Sequence, residues 1–165
     1  MSSRSTRVLM SALLPAFLAG DAGAAPPAST RPAGDAHHDV ESALREYARL
    51  LKATDAAALA AFYTADGELL DPGMDALKGP EAIRTFLASF GDVRIESASM
   101  TPEVTEVYGD QAFQWGTYAQ RVVVPGKPSA DYSGRFVAQW SRRADGRWLI
   151  RRLLTQPSPG AAAAS

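Results

Sequence analysis

The period of the apolar residues changes once along this chain, at Gly91, and that change limits the possible folds more than any single motif. Before it, Val40, Ala43, Leu44, Tyr47, Leu50 and Leu51 recur at helical spacing, as do Ile83, Phe86, Leu87 and Phe90. After it the period is two: Val93, Ile95, Ser97 and Ser99 alternate with Arg94, Glu96, Ala98 and Met100, and Pro102 is expected to close the run. Asp39 can cap the first helix and Asp55 a second, whose apolar face carries Leu59, Phe62 and Tyr63. Gly67 reads as the turn that follows, and Pro80 suits the first turn of a third helix.

Gly109-Asp110 is a turn signal before a long strand at 112–124, with Phe113, Trp115, Thr117 and Ala119 sharing one face. Residues 132–140 and 148–155 form a hairpin about Ala144-Asp145-Gly146. Three helices leading into a mostly antiparallel sheet define an α+β domain. A sheet covered on one face by helices can curl into a cone, and the cone encloses a pocket.

Within that frame, Phe62-Tyr63-Thr64-Ala65-Asp66-Gly67-Glu68-Leu69-Leu70-Asp71-Pro72 is the segment richest in chemistry. Leu69 and Leu70 suggest a buried strand that delivers the Asp71 carboxylate to its inner end. An acid in apolar surroundings is costly unless partnered and is a candidate for catalysis. The plainer reading is that Asp71 starts an Asp-Pro-Gly turn. Tyr47 is the other polar group on an otherwise apolar face. Its plainer reading is a core tyrosine whose hydroxyl is satisfied by Asp71.

The ends carry a different composition. Arg4 and Arg7 precede a mostly apolar run at 8–18, and Ala22-Gly23-Ala24 has the small-x-small form of a cleavage site, so residues 1–24 read as a secretory signal. Residues 25–38 are rich in Ala and Pro and read as a flexible linker, and the Pro- and Ala-rich tail at 157–165 is expected to be disordered. The folded domain is therefore expected at 39–156. An exported bacterial protein, periplasmic or secreted, follows, with no stable membrane insertion once the signal is cleaved.

Several functions are excluded by what the sequence lacks. With no cysteine, disulfides, thiolate metal sites and cysteine nucleophiles are absent. His37 and His38 are the only imidazoles, and at the linker's end they read as solvated side chains, so neither a metal site nor a serine–histidine–acid triad is expected in the domain. A net charge of -1 gives no electrostatic reason to bind nucleic acid. Arg135, Arg142, Arg143, Arg147, Arg151 and Arg152 crowd the last hairpin. They read as a solvated edge, with Arg151 reaching into the cone as the alternative. No phosphate loop or nucleophile elbow occurs, so any catalysis is expected to be cofactor-free acid–base work.

Over about 39–155 the order of elements resembles the ketosteroid-isomerase-like, or nuclear transport factor 2-like, superfamily, especially its SnoaL-like branch. The motifs are Ala57-Ala58-Leu59-Ala60-Ala61-Phe62-Tyr63-Thr64-Ala65-Asp66-Gly67, Gly79-Pro80-Glu81-Ala82-Ile83 and Asp145-Gly146-Arg147-Trp148-Leu149-Ile150. The resemblance implies a pocket for a hydrophobic small-molecule ligand and pairing of two copies through the sheet. It places Asp71-Pro72 at the catalytic base of ketosteroid isomerase and Arg45-Glu46-Tyr47 at its oxyanion-hole tyrosine. That enzyme adds a protonated aspartic acid to the oxyanion hole. The corresponding position here is about Ala138, with no acid in 136–140, and a supporting tyrosine becomes Leu87. Phe62, Phe86, Trp115, Phe136 and Trp140 are the expected pocket walls. The implied activity is an isomerase, cyclase or hydrolase using Asp71 and Tyr47; a non-catalytic binding or dimerisation module is the alternative.

Overall fold

The computed structural model describes residues 33–159, and the expected signal, the linker up to residue 32 and the tail from residue 160 lie outside them. The elements run α1 (Ala33–Ala53), α2 (Ala56–Ala60), β1 (Tyr63–Leu70), β2 (Leu77–Lys78), α3 (Gly79–Ala88), β3 (Arg94–Tyr108), β4 (Gln111–Val123), β5 (Ala130–Arg142) and β6 (Trp148–Pro157). The six strands form one mixed sheet in the order β2-β1-β6-β5-β4-β3. Only β1 and β6 pair in parallel; every other neighbouring pair is antiparallel. This is the α+β architecture expected, an open curved sheet with helices over its concave face.

Helix α1 begins at Ala33, ahead of the cap expected at Asp39. Ala36 is buried one turn before Val40, so the apolar stripe extends upstream through residues whose alanine-rich composition resembles a linker but also favours helix. His37 and His38 therefore lie on this helix. Val40, Leu44 and Tyr47 follow on the same face, and α1 packs mainly across β3. Among the described residues no helix is long and apolar enough to cross a membrane.

Asp55 caps α2 as expected, its carboxylate accepting the Ala58 N–H at 2.9 Å. The helix is short, however, and Tyr63 opens β1 rather than completing the helical face. Gly67, expected as a turn, lies inside β1 at an irregularity in the β1–β6 ladder. A Cβ there would stand 2.9 Å from both the Thr64 carbonyl oxygen and the Tyr63 Cβ, so only glycine lets the chain fold back so tightly. Pro80 occupies the first turn of α3 as expected.

Pro102 does not end its strand. β3 continues to Tyr108, with a register irregularity between Pro102 and Val104. β3 is the last strand of the sheet, where a residue without an N–H can be accommodated. The turn expected about Ala144-Asp145-Gly146 joins β5 to β6, with Gly146 at φ 88°. At the other end β6 runs further than expected: Gln156 pairs with Arg135 and Pro157 with Gly134.

The core lies between the sheet and the helices, where Val40, Leu44, Ile83, Phe136, Trp140 and Ile150 are almost fully enclosed. Two glycines allow neighbouring strands to approach closely. A Cβ on Gly134 would lie 2.2 Å from the Gln156 carbonyl oxygen, and one on Gly116 2.0 Å from that of Thr101. Both clashes involve backbone, which cannot swing aside. Gly134→Ala is therefore expected to destabilise the fold by about 1–3 kcal/mol, read as a lowered urea midpoint; an unchanged midpoint would mean that β5 and β6 are not held this closely.

Candidate functional site

Between α1, α2, α3 and the concave face of the sheet lies a cavity of about 670 Å³. The strand geometry explains why Asp71 reaches it. The parallel register pairs Leu69 with Leu153 and Leu70 with Leu154, so the next residues, Asp71 and Thr155, stand side by side. Leu69 and Leu153 face the core, and two residues further on Asp71 and Thr155 share that face. The Thr155 hydroxyl donates a short hydrogen bond to Asp71 Oδ1, and both residues line the cavity. Asp71 is thus half-buried at the inner end of β1 rather than a purely exposed turn residue.

Tyr47 lines the same cavity from α1. Its hydroxyl partner is not Asp71 but Tyr63, at 2.9 Å in the buried interior. Tyr63 sits behind Tyr47 and does not reach the cavity. Since a buried hydroxyl requires a partner, the two hydroxyls satisfy one another, and either can be the donor; when Tyr63 donates, the Tyr47 proton is free to point into the cavity. Burial raises the Tyr47 pKa from 10.0 to about 12, opposed by the Tyr63 hydrogen bond and reinforced by the Asp71 charge. Burial likewise places Tyr63 well above its ordinary value, with Tyr47 and Asp71 adding to the effect. Tyr118, another wall residue, is raised by burial and then by Asp71. The tyrosines around this carboxylate are therefore neutral donors at physiological pH.

Of the five expected wall residues, Phe86 lines the cavity. Phe136 and Trp140 are buried in the core instead. Phe62 packs edge-on against Tyr47, with ring centroids 5.8 Å apart, and does not reach the cavity. Trp115 points the other way: on β4 the buried positions are Ala112, Gln114 and Gly116, so Phe113 and Trp115 occupy the convex face. The largest side chains of β4 suggested the wrong inner face because the convex side is apolar too. Tyr118, Tyr132 and Thr155 are among the wall residues that sequence reasoning missed. Tyr118 lies across the ladder from Gly134, where even a Cβ would come within 2.8 Å of its ring, a relation that only the register reveals.

Among the described residues, no acid other than Asp71 lines the cavity. Ala138 is fully buried opposite Gln114, whose Nε2 donates to Thr105 Oγ1 at 3.0 Å and which does not line the cavity. Gln139 instead accepts from Arg152, while Arg151 pairs with Asp66 at 3.4 Å rather than entering the cone. Among the described residues no three His, Asp or Glu side chains converge as metal ligands.

Comparison with known proteins agrees with this geometry. The family model described as a SnoaL-like domain matches residues 44–150, more than half of the chain. No curated protein matches in sequence. Among solved structures, a ketosteroid isomerase-like protein from Erwinia carotovora atroseptica superposes with a TM-score of 0.66 at 21% identity, over 73% of this chain and 95% of its own. An NTF2-like protein with a cystatin-like fold from Novosphingobium aromaticivorans gives 0.64 at 22%, over 79% and 86%. ActVI-ORFA from Streptomyces coelicolor gives 0.61 at 20%, over 74% and 96%. At these identities the likeness establishes the fold.

The tyrosine pair has a consequence for stability. The folded pKa of Tyr47 lies above its unfolded value, so its contribution is present below about pH 10 and is lost as pH rises toward about 12. The loss is on the order of 2–3 kcal/mol. Urea unfolding at neutral pH and above the ordinary tyrosine value should show it, and Tyr47→Phe should reduce it; equal alkaline loss in the variant would contradict the assignment.

Proposed function

The chain belongs to the SnoaL-like family, and from that premise we propose that it is a small-ligand protein performing cofactor-free acid–base chemistry on a hydrophobic molecule. Asp71 is the general base and Tyr47 the hydrogen-bond donor. The observation that carries this reading is that both residues line one mostly apolar cavity of about 670 Å³, within the usual range for small-molecule sites. In this mechanism Asp71 takes a proton from the carbon next to a carbonyl, or from a water that attacks the ligand. Tyr47 donates to the oxygen on which negative charge develops, and Tyr63 holds its ring and hydroxyl in place. Return of the proton at another carbon makes an isomerase, loss of a leaving group a lyase, and attack by water a hydrolase. Carboxylate and phenol suffice for these proton transfers, so no cofactor is invoked.

Ala138 provides no second oxyanion acid, so the role of principal oxyanion donor falls to Tyr47. Screening polycyclic ketones and epoxides for turnover identifies a substrate. With that substrate, Asp71→Asn is expected to abolish the reaction, and Tyr47→Phe to lower kcat by about 100-fold. Turnover unchanged in Asp71→Asn contradicts the assignment and leaves ligand binding without catalysis.

A separate observation favours pairing of two copies. Cross-strand register sets Val104, Trp115, Val137 and Leu154 in one line across the convex face. Val137 is 45% exposed, Leu154 44% and Phe113 38%, a concentration of apolar surface unusual for a monomer. A two-fold axis would bury one such face against another, and we read this face as a homodimer interface. Val137→Arg is expected to give a folded monomer by sedimentation; a wild-type monomer at the same concentration contradicts the pairing. The reading retains export, on the basic-apolar-small order of residues 1–24, and gives no role to nucleic acid or a membrane.

A further inference from the structure

The charges around the cavity are one-sided. Among the described residues, its wall contains the carboxylate of Asp71 and no arginine, lysine or histidine. The nearby arginines are engaged outside it: Arg151 with Asp66, Arg152 with Glu68 and Arg135 with Glu103. Asp71 also retains unused hydrogen-bonding capacity. Oδ1 takes the Thr155 hydroxyl, while Oδ2 accepts no hydrogen bond from the described residues. The same wall carries the rings of Tyr47, Tyr118, Tyr132, Phe86 and Phe90.

We infer that the cavity selects its ligand by charge, taking an apolar molecule that carries an organic ammonium group over its neutral counterpart and rejecting its carboxylate counterpart, with Asp71 Oδ2 as the acceptor. This rests on reading the cavity as a small-ligand site and adds the charge class of what enters it. An ammonium placed at Oδ2 makes a charge-assisted hydrogen bond and is buried with its counter-ion rather than alone. A carboxylate in the same place meets a like charge, with no cation in the wall to neutralise either. The field of Asp71 already reaches across the cavity, since it contributes to the raised pKa values of Tyr47 and Tyr118. A neutral ligand loses neither its fit nor its hydrogen bond from Tyr47, so it falls between the two.

Three probes of one shape separate the possibilities: naphthalene carrying an aminomethyl, a hydroxymethyl or a carboxylate group, each titrated calorimetrically into the wild-type protein and into Asp71→Asn. The expected order is amine tightest, by at least about tenfold over the alcohol, with the carboxylate weakest. Asp71→Asn should remove the advantage of the amine over the alcohol. Carboxylate binding as tight as that of the amine, or amine and alcohol binding alike, overturns charge selection while leaving the ligand site standing. An amine preference that persists in Asp71→Asn places the cation elsewhere and overturns it as well. No binding by any of the three overturns the ligand-site reading itself. The wild-type ranking decides the matter even if the variant fails to fold.

Discussion

The parallel pairing of β1 with β6 is the constraint on which the site depends. It is the one parallel ladder in the sheet, and it carries both polar elements of interest. Its register places Asp71 beside Thr155, giving the carboxylate a hydroxyl partner at the cavity's edge. At its other end Tyr63 pairs with Ile150, which sets the tyrosine under α1 where its hydroxyl meets that of Tyr47. Gly67 allows both placements, because the segment from Tyr63 to Leu69 spans only Ile150 to Leu153 on the neighbouring strand. A bulkier residue there would strike backbone, and the two ends of β1 would lose their common alignment to the helices.

From that alignment the chemistry of the cavity follows. Burial keeps Tyr47 and Tyr63 protonated, so the pair is neutral and not a source of negative charge. Asp71 is left as the only charged group of the described cavity wall. The arginines that crowd the last hairpin in sequence are kept out of the cone by partners such as Asp66, Glu68 and Asp145. A single base facing a neutral donor across apolar space can move protons in a ligand that brings its own reactive carbon.

Much of this was legible from sequence where a local rule had one outcome. Asp55 at a helix start, Pro80 in a first turn and Gly146 in a hairpin each have a specific local role, and all three take it. The placement of Asp71 at the end of a buried strand follows from Leu69-Leu70 and the following Pro72. What was not legible depended on packing across the sheet. Alternation on β4 reveals two faces but not which is inner, and here the inner face carries Ala112, Gln114 and Gly116 while Trp115 lies outside. At Gly116 the inner residue is small because the β3 backbone approaches closely there. Tyr63 could not be assigned to a strand without β6, and Thr155 could not be joined to Asp71 without their register. The upstream turn of α1 was hidden because its alanines serve a linker and a helix equally well.

The central claim is that Asp71 and the Tyr47 hydroxyl act on one ligand in one apolar cavity. A crystal structure of the protein with a bound polycyclic ketone tests it most directly. The account predicts the ketone inside the cavity, its oxygen within hydrogen-bond distance of the Tyr47 hydroxyl and its adjacent carbon on the Asp71 side of the cavity. A ketone bound outside this cavity, or a cavity closed by side chains with Tyr47 turned away from Asp71, would contradict it.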